Sequence, residues 1–483
     1  LKQPSNISAF RAAREEYAMT DRRPSWALAA FATPSIPIAA MGLPLVVYLP
    51  EFYVSSLGLS LSAVGAAFLV VKLVDIFFDP ILGGMMDRTR TRLGRFRPWL
   101  IAGTPVIVAG SYFLFMAQPG VGPVYLWFWL VIIYGGYSMV VLSQTAWGAV
   151  LSSDYQQRSR VYGWWQAGNV VGMILVLCLP PIVTGVFKGD HLASIQAMGW
   201  FVVVLAPLST LLATTLVGEP EAPKVVHKAG LREYAALFKR PSVRLLLTAD
   251  ILMGLAPGIA GSLFIFFFER IKHLDKTQSG VLLLVYFVAA LAGAPIWPVL
   301  AKRLGKHRAL SVAAIAYAVF QIAAAMTPTG FTWIGTLSLV LSGLPYSAAP
   351  LLVRSMMADI GDEERLASGA DRTGLLYAIV SGAMKLGYAL AVGVFIVLSW
   401  MGFDPKAPTA SGDAALIGLF AFLPAGLGLL VSVVMLRYPL DAQRLAEIQR
   451  QLAARDAVTV QTPPAAEPDP NASVLAVDVA PAK

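Results

Sequence analysis

Three ionisable residues interrupt an apolar stretch, Lys72, Asp75 and Asp79 in "VKLVDIFFDPILGG". On a helix the spacing i, i+3, i+7 confines them to an arc of about 60° at 100° per residue, so one face carries an ammonium and two carboxylates. Away from water, two carboxylates one turn apart repel unless a proton or a cation stands between them. That is the chemistry of a site that takes up and releases H+ or Na+, with Lys72 placed to neutralise one acid when the site is empty. A static ion-pair cluster tying helices together is the competing reading. A further lysine, Lys385, interrupts "LLYAIVSGAMKLGYALAVGVF". It lies about 20 Å along its helix from Arg372, too deep for easy escape to water. It is expected to meet a substrate's anionic or hydroxyl groups, or the two acids.

Two more stretches mix amides with flat rings, "YGGYSMVVLSQTAWGAV" and "RVYGWWQAGNVVG". Ser143, Gln144, Trp147, Gln166 and Asn169, with Tyr346 and Tyr388 later in the chain, form a candidate substrate-binding set. Hydrogen-bonding amides beside aromatic faces suit sugar rings, and they suit amphiphiles as well. Trp164 and Trp165, near a helix end, also fit an interfacial belt. Asp250 in "RLLLTADILMGLAPG" lies six residues inside Arg244 and reads as a gate or interface residue more than a direct substrate contact.

Charge-dense loops follow these stretches. "DRTRTRLGRFRPW" supplies Asp87, Arg88, Arg92, Gly94 and Arg95; "SSDYQQRSR" supplies Asp154 and Arg160; "ADIGDEERLASGADR" supplies Asp362 and Arg372. They are candidate gating residues, and they have a simpler use against lipid head groups. Loop 2–3 is echoed by "PVLAKRLGKHR" in loop 8–9, and loop 4–5 by loop 10–11, so the two halves of the chain repeat weakly.

The elements that must hold these residues follow from composition. The chain has 483 residues, 57% hydrophobic and 13% charged, against about 25% charged in a soluble domain. Its mean hydropathy is +0.67. The fold class is an all-α polytopic membrane protein with twelve spans of about 20 or more residues. They fall near 25–50, 60–84, 98–118, 122–150, 160–186, 196–217, 242–268, 278–301, 309–327, 331–357, 372–400 and 412–436. Thirty of the 37 Lys and Arg fall on the side of the chain termini and five on the other, Lys188, Arg270, Lys272, Lys276 and Lys406. That bias predicts both termini in the cytoplasm, and it accounts for the net charge of +9 without a nucleic-acid partner. The expected division is 1–24 cytoplasmic, 25–217 and 242–436 as six-helix bundles, 218–241 as a linker with an amphipathic helix "GLREYAALFK", and 437–483 as a second amphipathic helix and a Pro/Ala-rich disordered tail. The first 24 residues are too polar to read as a cleavable signal peptide. The single cysteine, Cys178, precludes an internal disulfide, and the four histidines fall in expected loops. No His pair, metal-spacing cluster or serine nucleophile motif suggests an enzyme, and no cofactor is implied. The six-plus-six layout suits alternating access better than a pore.

"DIFFDPILGGMMDRTRTRLGRFRPW", "DRTGLLYAIVSGAMKLG" and "YPLDAQRLAEIQRQLAARD" together resemble the glycoside–pentoside–hexuronide:cation symporters of the major facilitator superfamily, the family of the melibiose carrier. The resemblance extends over all twelve spans. It implies two six-helix bundles, a central site, a bacterial-type inner membrane and a monomer. It also implies that Asp75 and Asp79 help bind the coupling cation, H+ or Na+, that Lys72 stands where similar carriers have a basic residue, and that Lys385 links cation and sugar. The sequence departs from the melibiose carrier in four places. Phe78 replaces an Asn before the second acid, which favours protons modestly. "FATPSIPIAAMGLPL" lacks the Lys-Asp pair of helix 1, Ser143 replaces an acid four residues before Trp147, and "YGWWQAGN" lacks the sugar-binding arginine of helix 5. Galactoside specificity is therefore not expected. The expected activity is inward symport of a glycoside or related polyhydroxylated solute; the alternative is a lysophospholipid or other amphiphile, carried by similar transporters of the same clan.

Overall fold

The computed structural model describes residues 24–151, 155–219, 237–369, 373–405 and 407–461. The expected linker helix lies almost wholly outside the described residues, as does the Pro/Ala-rich tail. Among the described residues, twelve helices are long and apolar enough to cross a membrane: α1 (Ser25–Ser56), α2 (Leu61–Met86), α3 (Arg97–Phe115), α4 (Pro123–Val150), α5 (Arg160–Gly185), α6 (His191–Leu216), α7 (Pro241–Arg270), α8 (Lys276–Gly293), α9 (Lys306–Met326), α10 (Trp333–Ser368), α11 (Ile379–Trp400) and α12 (Ala410–Leu436). A final helix, α13 (Ala442–Gln461), follows the last span and lies against α10. Helices dominate because hydrocarbon offers backbone amides no partner but each other.

Helix ends are set by short polar side chains. Asp190 accepts from Ala193 N at 2.8 Å at the start of α6, and Asp275 and Gln278 form a reciprocal cap at the start of α8. Prolines move the expected boundaries. The eighth span ends at Gly293, and beyond Pro295 a separate short helix runs over Ile296–Leu304. The tenth passes through a 3-10 turn at Leu344–Ser347, where Pro345 has no N–H to give, and then continues to Ser368. All of "ADIGDEERLAS", expected as loop, is therefore helix, closed by Gly369 in the left-handed conformation (φ 75°). His191 and His307 also lie in first turns of helices, not in loops. Lys272, in the turn after α7, is buried and donates to Ala325 O at 2.8 Å and to Thr327 O. Burial holds its ammonium below the usual lysine range.

Helices α1–α6 precede the linker and α7–α12 follow it. The halves meet where α1 packs on α7, α2 on α11 and α5 on α8. One continuous core joins the first half to the part of the second half farthest from the termini, including Leu263, Phe267 and Phe395. Residues of the second half nearer the termini, including Leu246, Met253, Leu352 and Leu376, form a separate core. Among the described residues the buried core is thus continuous between the halves on the face away from the termini and divided on the termini face.

Candidate functional site

Asp75 and Asp79 lie one turn apart in α2, and between them stands the ammonium of Lys385 from α11. Lys385 Nζ donates to Asp75 Oδ2 at 3.1 Å and also to Asp79 Oδ2. Ser138 Oγ of α4 donates to Asp75 Oδ1 at 2.6 Å. Asp79 Oδ1 is buried with no hydrogen-bond partner among the described residues. The cluster spans both halves at mid-depth, with side-chain exposures of 31% for Lys385, 10% for Asp75 and 19% for Asp79.

Lys72 requires a correction. It makes no ion pair among the described residues, and the neutralising cation comes from the opposite half. The charge of Asp75 still acts on Lys72, which lies one turn before it on the same face, without an ion pair between them. Lys385 approaches from across the interface and meets both carboxylates.

The polar-aromatic set divides. Pro34 breaks α1, and the carbonyls before the break take side-chain donors. Thr33 Oγ1 donates to Ala30 O at 2.8 Å, Gln144 Nε2 to Phe31 O at 2.8 Å and Ser35 Oγ to Ala32 O at 2.6 Å. Gln144 is thereby engaged in packing α4 on α1. Trp147 is fully buried with its ring edge-on to Phe31, centroids 5.4 Å apart, and Ser143 Oγ donates to Val140 O of its own helix. Trp147 Nε1 is buried with no hydrogen-bond partner among the described residues, and none of the three bonds to the acid–lysine cluster there. Asn169 Nδ2 donates to Trp165 O at 2.9 Å, and Gln166 is exposed. Tyr346 and Tyr388 do come together, hydroxyls 3.5 Å apart, in the second half.

Among the loop residues, Arg88 and Arg92 are exposed. Gly94 and Arg95 belong to a built structure that the sequence did not suggest. The Glu219 carboxylate, just beyond α6, accepts from the backbone N–H of Arg95 (2.7 Å), Phe96 (3.0 Å) and Arg97 (3.1 Å), capping α3. Gly94 makes this possible: its φ is +105°, and a Cβ there would stand 2.3 Å from Glu219 Oε2. Arg160 Nη2 donates to Ser25 Oγ at 3.4 Å, and Asp362 Oδ2 accepts from Gln449 of α13 at 3.1 Å. Asp154, Arg372 and the side chain of Asp87 lie outside the described residues.

Another unforeseen group lies on the closed face. Glu51 of α1 is fully buried, 3.0 Å from His191 Nε2 and 2.6 Å from Lys276 Nζ of α8, so it ties the two halves together. Nearby, Gly65 of α2 sits so close to α11 that a Cβ would lie 2.8 Å from that of Phe395.

Twelve spans in two halves, with paired acids buried between them, define a solute carrier of the major facilitator fold. The family described as MFS/sugar transport protein matches residues 30–442, and the chain belongs to it; it is a transporter and not an enzyme. Among similar proteins, the glucuronide carrier protein homolog of Escherichia coli (strain K12) is 23% identical, covering 86% of this chain and 92% of that protein. The isoprimeverose transporter of Lactiplantibacillus pentosus is 25% identical, covering 85% and 88%. The crystal structure of the nucleoside transporter NupG (D323A mutant) superposes with a TM-score of 0.65 at 14% identity, covering 86% of this chain and 99% of that one, a likeness of fold alone.

Proposed function

We propose that the protein is a cation-coupled symporter that carries a sugar, glycoside or related polyhydroxylated solute by alternating access. The carrying observation is the Asp75–Lys385–Asp79 cluster, which joins the two halves at mid-depth. Two carboxylates that share one internal cation can exchange it for H+ or Na+. Asp79 Oδ1, buried and without a partner, supports a place for that ion. The sugar names of curated relatives support the solute class over an amphiphile. The Lys and Arg bias supports cytoplasmic termini in an inner membrane. On that orientation the closed face is outward and the divided face opens inward. The six-helix units 25–217 and 242–436 act as the moving bodies of a monomer.

The test is transport by the reconstituted full chain. Asp75→Asn and Asp79→Asn should each abolish uphill accumulation of a transported glycoside while sparing part of the sugar exchange. Undiminished accumulation by both variants would refute the coupling role.

A further inference from the structure

The second half holds a polar feature that the cation cluster does not use. Asp250 of α7 is 5% exposed, and its Oδ2 is buried with no hydrogen-bond partner among the described residues. It lines a cavity of about 20 Å³ with Met253, Tyr346, Pro350, Met384 and Tyr388. Arg354, one turn along α10 from Pro350, is the opposite charge that acts on Asp250. A carboxylate out of water with no donor is costly, and a carboxylate can only accept. Among the described residues nothing donates to Oδ2, so the site has a place for a visiting donor. A cavity of this size admits one water-sized group, and a single hydroxyl meets that limit.

We propose that Asp250 is the acceptor of a specificity-determining subsite for one hydroxyl of the transported sugar, with Tyr346 and Tyr388 as its polar rim. The inference rests on the symport reading. Met253 and Met384 give the cavity an apolar wall beside the carboxylate, so that one hydroxyl enters while the rest of the sugar stays at the cavity mouth. Met384 and Tyr388 bracket Lys385 on α11, so a sugar seated here touches the helix that supplies the cluster's ammonium. On the other side, Ser143 and Gln144 bond to backbone carbonyls of α4 and α1. The second half therefore supplies the hydroxyl acceptor. A site built around a hydroxyl rejects a ligand lacking it far more strongly than an apolar pocket rejects a missing methylene.

The experiment measures binding by thermal shift and calorimetry on the purified full chain. The probes are raffinose, isoprimeverose and methyl β-D-glucuronide, then the monodeoxy analogues of whichever binds. For wild type, one deoxy position should weaken binding at least about 10-fold. Asp250→Asn and Asp250→Leu should weaken the parent sugar by a similar factor, and Asp250→Leu should lose the discrimination. The melting temperature of the unliganded variants should stay level or rise, because an unpaired buried carboxylate has been removed. A purely structural role predicts that it falls. Should both Asp250 variants fail to fold, Tyr388→Phe and the deoxy series on wild type still decide, and equal tolerance of every deoxy analogue overturns the subsite. Unchanged sugar affinity in the Asp250 variants also overturns it, and an altered pH profile of uptake in that case assigns Asp250 to protons. If no sugar binds wild type, the symport reading falls and takes the subsite with it, an outcome distinct from binding that ignores Asp250.

Discussion

Lys385→Met keeps the length and apolar body of the side chain and removes the charge between the two acids. At the 3.1 Å separation of Lys385 Nζ and Asp75 Oδ2, unit charges attract by about 5 kcal/mol at an effective dielectric of about 20. The net effect is smaller. Asp75 is 10% exposed and Lys385 31%, which places the pair between an exposed one, worth about 1 kcal/mol at most, and a fully buried one, where loss of one partner costs about 3–5 kcal/mol. A value of about 2–3 kcal/mol is appropriate. In the variant this energy no longer opposes an incoming cation, so the cluster should bind its coupling ion about 30–140-fold more tightly. The assay is the melting temperature of purified protein across a Na+ series balanced with choline and across a pH series. The cation-dependent rise should half-saturate at a correspondingly lower concentration of the coupling ion, while reconstituted protein loses uphill accumulation. Identical Na+ and pH responses in variant and wild type would refute the idea that Lys385 competes with the ion.

Other consequences follow from the same geometry. Gly94→Ala forces a side chain into a left-handed backbone and onto Glu219, and should cost about 1–3 kcal/mol, read as a lowered melting temperature. Glu219→Gln should cost less, since an amide oxygen still caps α3, and the pair should be non-additive because both act on one contact. Lys276→Met leaves the buried Glu51 with His191 alone and should shift the closed face toward opening by about 3 kcal/mol, against the upper range for a broken buried pair. In a background lacking Cys178, maleimide should label a Ser279→Cys probe, buried in wild type, at least about 10-fold faster when Lys276 is Met; an unchanged rate rejects the latch.

Much of the fold was legible in the sequence because a membrane demands long apolar runs, and all twelve were present. The errors fell where proline acts locally, at Pro295 and Pro345, since hydropathy does not register a missing N–H. Charges at depth made Asp75, Asp79 and Lys385 visible one by one. Their assembly was one of two alternatives for Lys385, left open because helical spacing relates residues within α2 and says nothing of which helix faces it. Lys72 was for that reason expected to neutralise one acid, where Lys385 bonds to both. Ser138 resembles any helical serine, and Glu51 reads as the end of a span until the helix is seen to continue to Ser56. Gln144 and Trp147 looked like binding residues by type. Both also meet Phe31 beside the break at Pro34, a contact that residue types in α4 do not reveal. Glu219 had one available signal, an acid immediately after a span and a basic Gly-containing loop in need of a cap.

The two interhalf ties have different tasks under the symport reading. The tie at mid-depth, Lys385 on Asp75 and Asp79, is one that a cation can replace, so ion loading and separation of the halves are linked, and by the same factor in both directions. A carrier with that tie alone would open whenever the ion bound and would leak ions without solute. The tie on the closed face, Glu51 with Lys276 and His191, does not involve the ion site and keeps its hold after the ion has bound. Opening there then needs energy from a second ligand, which only a solute with differential affinity for the opened state can supply. Weakening the far tie should accordingly do more than speed labelling. Lys276→Met in proteoliposomes should admit the coupling ion in the absence of sugar, while Asp75→Asn in the same background should stop that leak.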